Sequence, residues 1–141
     1  MRVRFSLSPP LYMYVSSKEI GNLGEKIAVE FLKKKGYKIL DKNYIPKWMR
    51  GPEKKEIDII AQKDGVISFV EVKTLANNKQ TFQPEDKVDF LKQRKLIKVG
   101  ESYLLEKKYS PERKWQIDVI AIRIDSDSKK AKIKHLKNVV Y

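Results

Sequence analysis

Apolar positions along this chain recur at two periods, and the switches between them mark its elements. In "SSKEIGNLGEKIAVEFLKKKG", Ile20, Leu23, Ile27 and Phe31 form one stripe at helical spacing. Ser16 with Glu19 makes a capping box at its start, and Gly36 follows a lysine-rich last turn as a stop. Glu25 falls at the flank of the stripe, near Ala28 and Leu32, so it looks along the edge of whatever the helix packs on. "YKILDKNY" reads as a short strand, and "IPKWMRGPEK" as a loop carrying Trp48 beside Arg50. Two apolar strands follow, roughly 55–61 and 66–74, with Asp64-Gly65 marking a hairpin turn. After the polar loop "LANNKQTFQP", a helical pattern runs from Pro84 to about Lys108 with Val88, Leu91, Val99 and Tyr103 on one side. "WQIDVIAIRI", a "DSDS" turn and "AKIKHLKNVV" supply two more strands. The order is α-β-β-β-α-β-β, with no repeat and no internal linker. It predicts one α/β domain over 17–141, a mixed sheet with helices against it, after a loose N-terminal extension over 1–16.

The two hairpin strands contain groups that an apolar run gains nothing by burying. "EIDIIAQKDGVISFVEVKT", residues 56–74, places Glu56, Asp58, Glu71 and Lys73 among Ile, Val and Phe. Desolvating an unpaired charge costs several kcal/mol. Strand side chains alternate, so Glu56 and Asp58 share one face and Glu71 and Lys73 share one face. The hairpin lets the two acidic ends converge. Two or three carboxylates beside a lysine offer oxygen ligands for a hard cation such as Mg2+. Lys73 would then steady charge on a phosphate or orient a water. The bland reading is a cross-strand ion pair at a sheet end. Glu-x-Lys alone decides nothing, since it recurs at Glu53, Glu85, Glu106 and Glu112. Both readings stay open at this level.

Charge narrows the partner. Lys and Arg number 31 against 18 Asp and Glu, a formal charge of +13 with pI near 9.8. Such an excess in one small domain is the electrostatic footprint of a polyanion binder, nucleic acid first. With no Cys and one His, disulfides, thiolate zinc sites and Cys nucleophiles are excluded. His135, between lysines in "KIKHLKN", reads as a strand surface residue. The missing cysteine fits a reducing cytoplasm. No apolar stretch approaches the roughly 20 residues a membrane span needs. Pro9 and Pro10 interrupt the apolar part of the N-terminus, which argues against a signal peptide, and Met13 offers an alternative start.

Several motifs in order carry a resemblance: "GE" in the first helix, "EIDIIA", "FVEVKT", "KQRKL", "IDVIAI" and the closing "IKHLKNVV". From about Ser17 onward the chain resembles the YraN-like family of small bacterial proteins, within the PD-(D/E)xK nuclease superfamily and its restriction-endonuclease-like fold. The family looks related to archaeal Holliday-junction resolvases. The resemblance implies a Mg2+- or Mn2+-dependent endonuclease acting on structured or damaged DNA. Asp58, Glu71 and Glu25 would bind the metal, and Lys73 would be the signature lysine. Related resolvases act as dimers, so it also implies a homodimer. Where the family pattern has a glycine before Glu-Ile-Asp, this chain has Lys55. Thr74-Leu75 replaces a basic residue after the signature lysine, and Gln116-Ile117 an Arg-Phe pair.

Lys92, Arg94 and Lys95 in "FLKQRKL" are candidates for contact with a nucleic-acid backbone, and Trp48 with Arg50 for stacking on an unpaired base. Their bland counterparts are a solvated helix face and a Trp that anchors its own loop. Asp118 reads as structural. The main rival function is a catalytically silent nucleic-acid-binding accessory on the same fold. A basic scaffold contacting RNA or an acidic protein rests on charge alone. "EIGNLGEKI" fits the glycine loop of a KH domain, but Asn22 and Leu23 stand where basic residues would help and too little helix precedes it.

Overall fold

Asp64 and Gly65 both have positive φ, 51° and 79°, the backbone that a two-residue hairpin turn requires. They join β3 (Ile57–Lys63) to β4 (Val66–Ala76), the strands that the alternation predicts. The structure, a computed structural model, describes residues 1–5, 17–49, 51, 55–76, 90–125 and 128–139. Its other elements are β1 (Arg2–Arg4), α1 (Ser17–Lys34), β2 (Lys38–Tyr44), α2 (Phe90–Glu106), β5 (Trp115–Asp125) and β6 (Lys130–Leu136). They build a six-stranded mixed sheet in the order β1-β6-β5-β4-β3-β2. Only β4 and β5 run parallel, because α2 separates them and returns the chain to the same end of the sheet.

The helices occupy opposite faces. On one, Ala28 and Leu32 of α1 pack with Ile59, Val70, Ile120, Ile122 and Ile133. On the other, Leu96, Val99 and Tyr103 of α2 pack with Ile57, Ile67, Phe69, Ile117 and Val119. The central strands are therefore buried on both sides, which is why β3, β4 and β5 are near-continuous in Ile, Val and Phe. No helix among the described residues is long and apolar enough to cross a membrane.

Three expectations change. The loose extension expected over 1–16 does not hold for Arg2–Arg4, which pair antiparallel with β6 as Arg2↔Lys132 and Arg4↔Lys130. Without them β6 would be an open edge, and the alternation of "RVRF" lets Val3 and Phe5 pack on the α1-side core. Residues 6–16 lie outside the described residues, as do Ser16 of the capping box and the 84–89 stretch of the second helix. Leu91, assigned to the apolar side of that helix, is 70% exposed, while Gln93 is buried and donates to the Val139 carbonyl at 3.2 Å. Gln93, Leu96 and Val99 follow one another at helical spacing on the buried face, and Leu91 falls off that face.

His135 is the third correction. It is half-buried between the rings of Phe31 and Tyr37, centroids 6.1 and 6.0 Å away, and contacts Asp118 at 2.8 Å. Asp118 is fully buried and also accepts from Gln116 and from the Asn138 backbone N–H, each at 2.9 Å. These bonds tie β5 to β6 and the segment after it. The lysines flanking His135 are exposed because alternate residues of β6 face opposite sides.

Both long helices end in the same hydrogen-bond pattern. Gly36, at φ 92°, donates to Lys33 and Tyr37 to Leu32, and at the end of α2 Lys108 donates to Leu105 and Tyr109 to Leu104. Lys108 adopts φ 59° there, a left-handed conformation that a non-glycine residue holds under strain of about 1 kcal/mol. Lys108→Gly is expected to stabilise the fold by roughly 0.5–1 kcal/mol, read as a higher urea midpoint at unchanged slope. A midpoint that falls would show that the lysine side chain contributes more than its backbone loses.

Candidate metal centre

Asp58 sits where the hairpin ladder stops. The pairs run from Lys63↔Val66 to Ile59↔Val70. Continuing that ladder would bring Val72 to the Ile57 carbonyl, but the Val72 N–H instead donates to Asp58 Oδ2 at 2.8 Å. Alternation slips at the same point: Ile57 and Ile60 enter one core, Ile59 and Ala61 the other. A side chain has replaced a strand bond, and β3 and β4 part around it.

Two other elements converge on this gap. Asn43 of β2 lies between the pairs Lys42↔Ile59 and Tyr44↔Ile57, hence opposite Asp58. Its φ of 50°, which Asn tolerates better than most residues, accompanies a side chain held between two acids. Asn43 Nδ2 donates to Glu25 Oε1 at 2.8 Å and to Glu56 Oε1 at 3.1 Å. Glu25 comes from α1, whose Gly24 lies so close to Thr74 of β4 that a Cβ there would stand 1.9 Å from the Thr74 hydroxyl oxygen. One carboxylate oxygen from each of Glu25, Glu56 and Asp58 lies within 4.8 Å of the others.

Burial pushes the Asp58 carboxyl up to about 7, with the charge of Glu71 adding to the rise and that of Glu25 adding less. The Val72 N–H bond and the Lys55 ammonium oppose it. Hard oxygen donors brought together from α1, from β3 and from Glu56 just before it, with one carboxyl driven toward its protonated form by burial and its neighbours, form a set whose charge a hard divalent cation would offset. The residues present fit Mg2+.

Glu71 stands differently. It is 5% exposed and points to the α2 side of β4, as Phe69 does. Both its oxygens lie 3.2 Å from Lys55 Nζ, and Oε1 lies 3.0 Å from Lys92 Nζ of α2. The structure thus brings Glu25, Glu56 and Asp58 into one group and places Glu71 beside it under two ammonium groups. Lys73, on the same face of β4, lines a groove with Arg123, Lys132 and Lys134. Of the residues proposed for nucleic-acid contact, Lys92 is engaged with Glu71, while Arg94 and Lys95 are exposed on α2. Trp48 is 53% exposed, donates to Ser102 Oγ at 3.1 Å and carries Lys98 Nζ 5.3 Å from its ring centre. Those contacts fasten its loop to α2. Arg50 lies outside the described residues.

Sequence reasoning gave no role to Lys55 or Asn43. Alternation put Glu56 on one face with Asp58, but the ligand set that the resemblance implied, Asp58, Glu71 and Glu25, left it out. Lys55 was visible only as a departure from the family pattern. Nothing in "DKNY" distinguishes Asn43.

The model of the uncharacterised protein family UPF0102 matches residues 24–122, most of the chain. The chain belongs to the UPF0102 family. It is 38% identical to a UPF0102 protein of Caldanaerobacter subterraneus subsp. tengcongensis over 128 residues, 88% of this chain and 96% of that one. A UPF0102 protein of Clostridium perfringens is 40% identical over 123 residues, covering 86% and 93%. One from Dictyoglomus thermophilum is 39% identical over 116 residues, covering 82% and 91%. The YraN-like resemblance is borne out as family membership. The UPF0102 match opens at Gly24, and so takes in Glu25, Asn43, Glu56, Asp58, Glu71 and Lys73, and it closes before β6.

Proposed function

We propose that this UPF0102 protein is a divalent-metal-dependent endonuclease of restriction-endonuclease-like fold, acting in the cytoplasm on structured or damaged DNA. The observation that carries the reading is the convergence of Glu25, Glu56 and Asp58 in the gap between β3 and β4, with Asp58 pushed up to about 7. Those three would hold Mg2+ or Mn2+. Bound there, the cation would polarise a phosphate oxygen and lower the pKa of a water. Asn43 orients Glu25 and Glu56 toward one another. Lys73 supplies fixed positive charge one strand repeat from Glu71. The net charge of +13 favours a polyanionic substrate.

A second reading is favoured by Glu71. A carboxylate already neutralised by Lys55 and Lys92 has no need of a metal, which suits a silent accessory that only binds nucleic acid. Cleavage of labelled single strand, duplex, flap and four-way junction, with Mg2+, Mn2+ or EDTA, separates the two. Metal-dependent cleavage of any of them is the expected result. Salt-sensitive binding with every substrate intact in both metals would establish the accessory instead.

A further inference from the structure

The sheet face that α2 covers over Phe69 and Val119 is cationic at its other end. The register sets Leu75, Arg123, Lys132 and Arg2 side by side on β4, β5, β6 and β1. Lys73, Ala121 and Lys134 form the row before it, and Asp125, Lys130 and Arg4 the row after. Directly paired residues share a face. Ala131 and Ile133 point into the α1-side core, so the lysines between and beside them point away from it.

One groove on this face is lined by Lys73, Arg123, Lys132 and Lys134. A second shares Arg123 and Lys132 with it and runs on to Arg2 and Lys130. Among the described residues, Arg2, Arg4, Arg123, Lys130, Lys132 and Lys134 make no ion pair. Arg123 Nε is shut from solvent without a hydrogen-bond partner. Arg123, Lys132 and Arg2 in one row, and Lys130 and Arg4 in the next, are like charges directly opposite across strands, which destabilises a sheet; Asp125, opposite Lys130, offsets only part of this. A polyanion laid along it reverses the sign of that term.

We infer that this face is a docking track for the phosphate backbone of duplex nucleic acid. The inference takes its partner class from the proposed function and adds where the duplex lies. Among the described residues, neither groove is lined by an aromatic ring on which single-stranded bases would stack, which favours a duplex. Lys and Arg contacts to phosphate position a duplex without reading its sequence. The track begins at Lys73, two residues from Glu71 on the same face, and crosses β5, β6 and β1. It therefore extends from beside the acid cluster toward the opposite edge of the sheet. Arg2, Arg123, Lys132 and Lys134 all lie outside the residues that the UPF0102 family model matches.

The test is fluorescence anisotropy of a labelled duplex with the full chain across a salt series. Wild type is compared with Lys132→Gln/Lys134→Gln and with a triple variant that adds Arg123→Gln. Lys132 and Lys134 are exposed, so the double variant keeps the result readable if the triple fails to fold; thermal melts of both are run alongside. The expected result is binding weakened roughly 10- to 100-fold, with the log–log salt slope shallower by about 2 in the double and nearly 3 in the triple variant. A salt slope unchanged in the folded double variant overturns the track and leaves the nuclease reading standing. If wild type cleaves nothing yet loses duplex binding in these variants, the track stands and the catalytic reading falls. No duplex binding by wild type overturns the track, while the cleavage assay on the other substrates still decides the nuclease reading. Polyglutamate or anionic vesicles bound as tightly as duplex would assign the surface to another partner and overturn it.

Discussion

Asp58→Asn is expected to stabilise the metal-free protein at pH 8 by about 2–4 kcal/mol while abolishing metal binding and cleavage. Burial, Glu71 and Glu25 raise the Asp58 carboxyl from 3.8 to about 7, so folding makes its ionisation harder. Between those values the folded chain holds a proton that the unfolded chain has released. Stability is therefore highest below about pH 4 as far as this group is concerned, and falls as pH rises to 7, where the loss is complete. The neutral amide removes that slope and keeps a carbonyl oxygen for the Val72 N–H. Wild type should regain the loss in Mg2+, because a cation that binds only the folded state stabilises it in proportion to RT ln(1 + [L]/Kd). Melts at pH 5 and pH 8, each with and without Mg2+, contain the whole prediction. A wild-type melt indifferent to Mg2+ up to about 10 mM would sink the metal assignment. An Asp58→Asn melt with the wild-type pH dependence would show that another group carries the slope.

Gly24→Ala is expected to cost about 1–3 kcal/mol and to weaken metal binding without touching a ligand. The added Cβ would stand 1.9 Å from Thr74 Oγ1 and 2.9 Å from both Thr74 Cβ and Cγ2. Rotating the threonine relieves the first contact but not the one to its Cβ. The helix must move off β4, and Glu25, the next residue, moves with it away from Asp58. Thr74→Gly in the same chain removes the obstacle, so the double variant should recover part of both losses, an interaction of about 1–2 kcal/mol in a double-mutant cycle. If Gly24→Ala melts within about 1 °C of wild type and binds metal as well, close approach of α1 is not what positions Glu25.

The proximity of Gly24 to Thr74 shows why the site was only partly legible. The "GE" pair could be quoted from the sequence, but its spacing records no reason for the glycine. That reason is a contact fifty residues away in the chain. Asp58 was legible because a carboxylate in "IDIIA" breaks an apolar run. Its convergence with Glu56 and Glu25 depended on a ladder that stops at Ile59↔Val70, which alternation does not encode. Lys55 was legible only as a glycine missing from a pattern. Its grip on Glu71 needs Lys55, just before β3, to reach across to β4. His135 was misplaced because flanking lysines mark exposure for their own face of the strand and say nothing of the other.

By itself the sequence determined the local elements: helical and strand periods, the Asp-Gly turn, the stop at Gly36 and the excess of positive charge. Each follows from neighbours a few residues apart, which is the range over which side-chain period and backbone preference act. Tertiary structure alone decided which acids meet, which lysines neutralise Glu71, and that Arg2, Arg123 and Lys132 fall in one row. Those outcomes depend on strand order and register, and a register is set by the packing of both sheet faces at once rather than by any segment.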